Sequence, residues 1–429
     1  RVGMSLSSEI WRALNQVRRL VSSTLYWAGE LGNDMSLDKE RSRIISKDSD
    51  HFTHPLTQRL RMITISEITL MFLLSFFVTV SISWLILVTE EIHYEYTHDL
   101  NSNNVHQHHS PVPRIGGLAI LLGAVTGSIY LYIIEAEHTL PIIWIWVAII
   151  PAFLGGFIED FTQNVSPHIR LTLTFLSGLI ICSQGDLTLN SIGWGWFDQN
   201  ILSNQLLSIL LTAFMISGAS QATNIIDGFN GLLSGFSIIA LIAFAIVLIQ
   251  VGDYELLALT FILMGTLSGF SLFNFPSGKI FAGDGGAYLI GFLLAALSLL
   301  AIKRNNEISP WFPLLVMIYP VFEVLFSIYR KKFIHKISPY TADRIHLHIL
   351  VYRKFSQTLP GILGNHPNPT TAILMWGLSM VGVLPAVIWW DQSSWLITWI
   401  TAFCIIYTYL YQHIVQISRP RRTPNCREI

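Results

Sequence analysis

Long apolar runs alternate with short polar stretches along the chain from residue 68 to residue 414. A helix needs about 20 apolar residues to cross the hydrocarbon core of a bilayer, and lipid offers no hydrogen-bond partner to a backbone that is not helical. Eleven runs fit this description, the fourth of them short, and they predict an all-α, polytopic membrane protein. The predicted spans are 68–88, 115–134, 141–158, 171–184, 203–222, 232–251, 256–273, 287–302, 311–328, 371–390 and 394–414.

The composition agrees with a membrane location. The 429-residue chain is 52% hydrophobic and only 12% charged, whereas charged residues make up about a quarter of a typical soluble protein. Its 26 lysines and arginines nearly balance its 27 acids, and no nucleic-acid partner is expected. Cys182 and Cys404 lie in apolar runs and Cys426 in the tail, so the cysteines predict neither a disulfide framework nor a metal or redox site.

Lysine and arginine near the span ends predict the orientation, because cytoplasmic loops are enriched in both. The loop 329–370 and the tail 415–429 are basic and are therefore placed in the cytoplasm. Residues 1–67 are polar, lack the layout of a cleaved signal peptide, and are interpreted as an extension with an interfacial helix and a linker. The spans form one domain over 68–414. The other loops that this topology places in the cytoplasm lie near 90–114, 159–170, 223–231 and 274–286.

The predicted cytoplasmic segments are dense in acids, amides, histidines and glycines, whereas the outer loops are short and bland. Four of these segments are "HQHHSPVPRIGGLAI" (106–120), "GGFIEDFTQNVSPHIRL" (155–171), "NIIDGFNGLLSG" (224–235) and "NFPSGKIFAGDGGAY" (274–288). A fifth, "SPYTADRIHLHILVYRK" (338–354), carries two histidines. The predicted topology brings four carboxylates to one membrane face, those of Glu159, Asp160, Asp227 and Asp284.

Carboxylates that face one another repel unless a cation lies between them. Oxygen ligands of this kind suit Mg²⁺, which typically binds through one or two carboxylates and substrate phosphates. We expect Gly283, Gly285 and Gly286 to let phosphate oxygens approach the backbone. Acids for a metal and bases for anions together indicate phosphoryl transfer, which depends on positioning and charge neutralisation. The complementary positive side would come from Arg114, Lys279, Arg344, His346 and His348.

Each segment taken alone also has a purely structural interpretation. Glycine pairs such as Gly116–Gly117 permit close helix packing, and Glu159 with Asp160 would suit a solvated helix end. Asp227 and Asn230 are residue types that cap helix N-termini. Two histidines on a basic loop are more often surface residues than ligands.

Five motifs, "PVPRIGG", "EDFTQNVSPHIR", "NIIDGFNGL", "FAGDGGAY" and "DRIHLH", resemble in order and spacing those of the polyprenyl-phosphate N-acetylhexosamine-1-phosphate transferase superfamily, also called glycosyltransferase family 4. The resemblance runs from about His106 to the eleventh span. It implies a multi-helix bundle in the bacterial inner membrane with a cytoplasmic active-site cleft. The implied enzyme is a glycosyl-1-phosphate transferase that uses Mg²⁺, or Mn²⁺ in its place.

The reaction that this resemblance implies joins a UDP-N-acetylhexosamine to undecaprenyl phosphate and releases UMP. The implied partners are these two substrates and the lipid bilayer, and a homodimer is a further candidate assembly. The chain is similar to the branch that begins O-antigen, enterobacterial common antigen or capsule synthesis. The peptidoglycan branch, which transfers phospho-N-acetylmuramoyl-pentapeptide, typically has "TPTMGG" and three consecutive histidines where this chain has "VPRIGG" and "HLH".

The resemblance also implies roles for individual residues. Asp284 matches the aspartate that binds Mg²⁺, and Asp227 would sit beside the metal and the sugar nucleotide. Asp160 would orient or deprotonate the lipid phosphate, and Phe281 would stack on the uracil. The catalytic candidates are Asp160, Glu159, Asp227, Asn224, His346 and His348. The substrate-binding candidates are Arg114, Asn230, Phe281, Lys279 and Arg344.

Three positions depart from the family pattern, and other functions remain open. Glu159 and Asn230 stand where aspartates are usual, which leaves the general base open. His109 stands where related enzymes often carry lysine, so a permanent cation is not expected at that position. An ion-coupled transporter would place charges within its spans, and only Glu323 lies clearly inside one. A catalytically inactive scaffold is the other alternative, and motif spacing does not reveal which sugar is used.

Overall fold

Helices form the regular structure throughout the described part of the chain, which contains no β-strand longer than an isolated bridge. The computed structural model describes residues 63–97, 112–134, 140–338, 345–356 and 367–418. All of these belong to one compact unit, Arg61–Ile429. The all-α prediction is therefore confirmed for these residues. Nearly all of the proposed extension, the end of the basic tail, His109 and Arg344 lie outside them.

The helices are numbered here in chain order. They are α1 (Ile65–Val88), α2 (Glu90–Thr97), α3 (Gly116–Ile134), α4 (Ile142–Thr162), α5 (Pro167–Gln184), α6 (Gln205–Ile226), α7 (Leu232–Val251), α8 (Tyr254–Asn274), α9 (Gly283–Arg304), α10 (Trp311–Val316), α11 (Ile318–Tyr329), α12 (Leu347–Val351), α13 (Pro367–Ile388) and α14 (Ser393–Ser418). A short helix at Gly195–Phe197 and π-helical turns at Asp198–Leu202, Arg330–His335 and Tyr352–Ser356 complete the set.

Within the described ranges, nine helices are long and apolar enough to cross a membrane, namely α1, α3, α4, α6, α7, α8, α9, α13 and α14. They match nine of the eleven predicted spans to within a few residues, while the count of eleven and the cleft stay predictions. The predicted fourth span is α5, an 18-residue helix with Arg170 in its first turn. The predicted ninth span is divided at Met317. Pro320 accounts for the division, because it has no N–H to bond to the carbonyl of Val316.

Helix α9 lies at the centre of the bundle and carries Asp284 in its first turn. In its most apolar 18-residue window 94% of the residues are buried, against 17% for α14 and 28% for α1. A helix that is apolar on all sides is expected in such a core position. The neighbours that enclose α9 include α3, α4 and α6.

Glycines allow α3 and α4 to approach the first turn of α9 at backbone distance. A Cβ atom on Gly117 would lie 2.5 Å from the amide nitrogen of Gly286, and one on Gly156 would lie 2.4 Å from that of Gly285. Because Gly285 and Gly286 are buried against these helices, the prediction that they admit phosphate oxygens is wrong. The interpretation of such glycines as packing positions is the one that the structure supports.

We predict that Gly156→Val lowers the stability of the fold, because the new side chain would overlap the backbone of α9. Overpacking of this kind costs about 1–3 kcal/mol or more. The apparent unfolding midpoint of the detergent-solubilised protein measures the loss. Gly218→Val in α6 is the matched control, since nothing lies within 4 Å of a Cβ atom there. An unchanged midpoint for Gly156→Val would contradict the close approach of α4 and α9.

Candidate active site

The turn before α3 and the turn before α9 are joined through their backbones. Phe281 donates its N–H to the carbonyl of Pro113 at 2.9 Å, and Gly116 returns a hydrogen bond to the carbonyl of Phe281 at 2.9 Å. Gly117 donates to the carbonyl of Ala282 at 2.8 Å. These bonds place Arg114, which lies between Pro113 and Gly116 in the sequence, beside the first turn of α9.

Asp284 lies between two arginines from different parts of the chain. The Nη2 group of Arg114 donates to Oδ1 of Asp284 at 3.4 Å, and the Nη1 group of Arg170 donates to Oδ2. Arg170 also lies 3.9 Å from Oε1 of Glu159. The four side chains are each only 13–19% exposed, so their charges interact more strongly than they would in bulk water.

The two neighbouring acids of α4 accept hydrogen bonds from backbone amides. Oδ1 of Asp160 accepts the N–H of Asp284 at 2.8 Å, and Oδ2 accepts the N–H of Gly285 at 3.0 Å. Oε2 of Glu159 accepts the N–H of Val165 at 2.7 Å and so closes the turn between α4 and α5. Neither acid is a solvated helix end, which was the structural alternative for this pair.

Asp227 follows the last residue of α6, and α6 packs against α9. The hydroxyl of Thr223 donates to the carbonyl of Ala287 at 2.9 Å, which fixes the end of α6 near the start of α9. Burial and the negative charge of Asp284 raise the pKa of the Asp227 carboxyl to about 7, although the positive charge of Arg114 acts to lower it. The carboxylates of Asp227 and Asp284 therefore repel each other, and a cation between them would relieve that repulsion.

The donor set fits a magnesium ion that is shared with a substrate. Among the described residues no group of three or more histidines, cysteines or acids could hold a metal by itself. Mg²⁺, however, typically uses one or two carboxylates and completes its shell with water and substrate phosphates. Asp227 and Asp284 provide such a pair, and no hydrogen bond or ion pair within the described ranges occupies the Asp227 carboxylate. Asp160 is already bonded to two amides and is not counted as a ligand.

A second group of polar residues surrounds the two histidines and is anchored by Glu323. This side chain of α11 is 0% exposed. Its Oε1 atom accepts from Nδ1 of His346 at 2.9 Å and from the N–H of Leu347 at 3.2 Å, and its Oε2 atom accepts from the hydroxyl of Tyr407 in α14. Since a carboxylate only accepts hydrogen bonds, Nδ1 of His346 carries the hydrogen in this pair.

His348 connects this group to the loop that carries Asp227. The rings of His346 and His348 stack with their centroids 5.4 Å apart, and Nδ1 of His348 lies 3.4 Å from the hydroxyl of Tyr319. A Cβ atom on Gly228 would lie 3.6 Å from Nε2 of His348. Both histidines are buried, so they are not surface residues.

The remaining predicted site residues occupy different positions around this centre. Asn230 is buried, and its Nδ2 group donates to the carbonyl of Pro276 at 2.9 Å, which ties the loop after α6 to the loop before α9. Phe281 and Asn224 are half-buried and Lys279 is exposed. Arg344 lies outside the described residues. The role of each of these residues in binding substrate stays a prediction.

Two residues of this centre were not among the candidates derived from the sequence. Arg170 lies within the motif "EDFTQNVSPHIR", and its position at the start of α5, soon after the two acids that end α4, was an available signal. Glu323 was recognised as the charge inside a span. The bond from Glu323 to His346 could not be foreseen. The sequence does not specify the path of the residues that join α11 to the segment with His346 and His348.

Residues 142–302 match the family described as Glycosyl transferase family 4. A Probable undecaprenyl-phosphate N-acetylglucosaminyl 1-phosphate transferase of Bacillus subtilis is 28% identical over 246 residues, which is 56% of this chain and 66% of the relative. A Phospho-N-acetylmuramoyl-pentapeptide-transferase of Streptococcus gordonii is 30% identical over 231 residues, which is 51% of this chain and 67% of the relative.

An Undecaprenyl-phosphate alpha-N-acetylglucosaminyl 1-phosphate transferase of Escherichia coli K12 is 27% identical over 255 residues, which is 58% of this chain and 67% of the relative. The chain therefore spans about two thirds of the length of the relatives it matches, 66% in the case of the Bacillus protein. The matched residues 142–302 of this chain include Glu159, Asp160, Arg170, Asp227 and Asp284.

We predict that Glu323→Leu destabilises the protein by roughly 3–5 kcal/mol, because it leaves buried polar partners without their acceptor. Glu323→Gln should cost much less, since its amide oxygen still accepts from His346 and Leu347 and its amide N–H can donate to Tyr407. The unfolding midpoint in detergent distinguishes the two variants. Glu307→Leu at an exposed position is the control for the change in side-chain type. Equal midpoints for Glu323→Leu and the unaltered protein would exclude an anchoring role.

Proposed function

Since the chain belongs to glycosyl transferase family 4, we propose that it transfers an N-acetylhexosamine 1-phosphate from a UDP-sugar to undecaprenyl phosphate and releases UMP. The observation that carries this proposal is the position of Asp284, which lies between Arg114 and Arg170 and interacts with Asp227 at one end of an apolar helix bundle. Such a site offers both signs of charge to a diphosphate, at one end of helices that are long and apolar enough to cross a membrane.

In the proposed reaction an oxygen of the lipid phosphate attacks the β-phosphorus of the UDP-sugar. A new P–O bond forms, the bond from the β-phosphorus to the bridging oxygen breaks, and UMP leaves with that oxygen and its electron pair. A phosphate monoester is largely ionised near neutral pH, so the nucleophile needs no strong base. We assign to Arg114 and Arg170 the binding of phosphate oxygens, which guanidinium groups contact with charge-assisted hydrogen bonds.

Asp284 and Asp227 would hold Mg²⁺, or Mn²⁺ in its place. When bound, the metal would neutralise the diphosphate and stabilise the departing UMP. Asp284 would exchange part of its pairing with the arginines for the metal, which would release their N–H groups towards phosphate. His346 and His348 would contact the phosphate or the sugar, held in place by Glu323 and Tyr319.

A second candidate function is that of the phospho-N-acetylmuramoyl-pentapeptide transferases, which are also among the similar proteins. One observation disfavours it. Leu347, between the two histidines, is 1% exposed and packs into the core, so this chain has no third imidazole at that position. We therefore favour a donor of the UDP-N-acetylhexosamine type and a role at the start of O-antigen, common antigen or capsule synthesis.

An ion-coupled transporter is disfavoured by the setting of Glu323. A carboxylate that carries ions must reach water from both sides of the membrane, whereas this one is fully buried and bonded to three donors. The basic cytoplasmic loops predicted from the sequence support a bacterial inner-membrane location with the site facing the cytoplasm. An inactive scaffold would not require Asp160, Asp227, Asp284 and both histidines to converge.

We predict that the purified protein in detergent releases UMP only when undecaprenyl phosphate, a divalent metal and one UDP-sugar are present together. The panel would contain UDP-N-acetylglucosamine, UDP-N-acetylgalactosamine, their 6-deoxy analogues and UDP-N-acetylmuramoyl-pentapeptide. Chelation of the metal and Asp284→Ala should each lower the rate by at least about 100-fold, in the range for loss of a group that stabilises developing charge. Turnover of the pentapeptide substrate alone would favour the second candidate, and folded protein without turnover of any sugar would favour the scaffold.

We predict that Arg170→Gln lowers kcat/KM for the UDP-sugar by roughly 10- to 100-fold, the effect of removing one hydrogen bond to a charged group. Arg170→Lys should restore part of the rate because it keeps the charge. Lys303→Gln is the control, since Lys303 pairs with exposed Asp186 at the other end of the bundle. A rate for Arg170→Gln equal to that of the control would remove Arg170 from the site.

A further inference from the structure

Asp160 differs from the other charged residues of the site in how completely it is enclosed. Its side chain is 1% exposed, whereas those of Arg114, Glu159, Arg170 and Asp284 are 13–19% exposed. Its two oxygens accept the N–H groups of Asp284 and Gly285 at 2.8 and 3.0 Å. The nearest side-chain cation is Arg114, whose Nη2 atom lies 3.6 Å from Oδ1. The carboxylate is thus directed at the backbone of α9 and away from solvent.

The amides that Asp160 binds belong to the first turn of α9. The first amides of any helix have no partner within the helix, and a carboxylate near them is favoured by the helix dipole. The residue at the start of α9 supplies no cap, because Ala282 has no side-chain acceptor and makes no capping bond. Gly283 has a φ of +71°, and a Cβ atom there would lie 2.5 Å from Oδ2 of Asp160. The turn is therefore shaped around the carboxylate of a different helix.

We infer that Asp160 is a positioning residue, which caps α9 through space and thereby holds Asp284 in place, and that it takes no proton from the acceptor. This inference rests on the proposed function and deepens it, since it removes the most obvious side-chain base from the reaction. A carboxylate whose two oxygens are both bonded to amides, in a side chain that is only 1% exposed, is not directed towards the lipid phosphate. The attacking oxygen is then the already ionised phosphate, oriented by the arginines.

The need for two acceptors explains why a carboxylate stands at this position. Asparagine would offer one oxygen to one amide and turn its own N–H₂ group towards the other. Asp160→Asn should therefore keep half of the cap, and Asp160→Ala should lose all of it. A general base behaves differently, because both replacements abolish proton transfer equally.

Hydrogen exchange tests the cap without substrate or metal. Overlapping peptides that cover residues 281–288 report on the amides of Asp284 and Gly285 by mass spectrometry. We expect Asp160→Ala to speed exchange of these amides by roughly 2- to 30-fold, the range for loss of a helix cap, and Asp160→Asn to have a smaller effect. Asp253→Asn is the control, because Asp253 caps the N-terminus of α8 from the position directly before that helix, where its Oδ1 accepts the N–H of Leu256 at 3.1 Å.

UMP release over pH 6–9 tests the chemical half of the inference. We expect Asp160→Asn to lower the rate by the same modest factor at every pH and to leave the shape of the profile unchanged. Unaltered exchange in Asp160→Ala would overturn the cap. A fall of more than about 1,000-fold in Asp160→Asn, with a rate that then rises tenfold per pH unit, would identify a general base instead. If the unaltered protein used no UDP-sugar, the proposed function would fail while the exchange result still decided whether Asp160 positions α9.

Discussion

The site depends on the contact between the first turn of α9 and the glycines of α3 and α4. Ordinary side chains at Gly117 or Gly156 would hold these helices apart, since each Cβ atom would overlap the backbone of α9. Close approach is what brings Arg114, at the entry to α3, and Asp160, near the end of α4, to Asp284. The same glycines that let apolar helices pack in a membrane thus determine where the charged residues meet.

The buried charged side chains of the site are tolerated because nearly all of them have hydrogen-bond or ion-pair partners. An isolated charge in an apolar setting is costly, and the structure pairs Asp284 with two arginines, Asp160 with two amides and Glu323 with three donors. Asp227 is the exception among the acids of the site, because no hydrogen bond or ion pair within the described ranges occupies its carboxylate. A ligand is expected to bind where a buried charge lacks a partner, because the ligand can supply that partner.

The sequence was sufficient to predict the all-α membrane class, nine of the spans and the convergence of the polar segments. It was not sufficient to predict what each side chain faces. Asp160 and Asp284 are the same residue type in two glycine- and acid-rich motifs, yet one binds backbone amides and the other binds guanidinium groups. Such differences depend on hydrogen-bond directions and on contacts between distant helices, which motif spacing does not encode. For the same reason Gly285 and Gly286 were assigned to phosphate, although they serve helix packing.

The bond between Tyr407 and Glu323 has a consequence for the order in which the protein is made. Tyr407 belongs to α14, a peripheral helix that contributes little to the buried core, yet its hydroxyl completes the set of donors around the carboxylate that holds His346. Helices inserted earlier in synthesis can already pack around α9 while Glu323, which binds His346, still lacks the hydrogen bond from Tyr407. The carboxylate of Glu323 would therefore acquire its full set of donors only after α14 has been inserted beside α11.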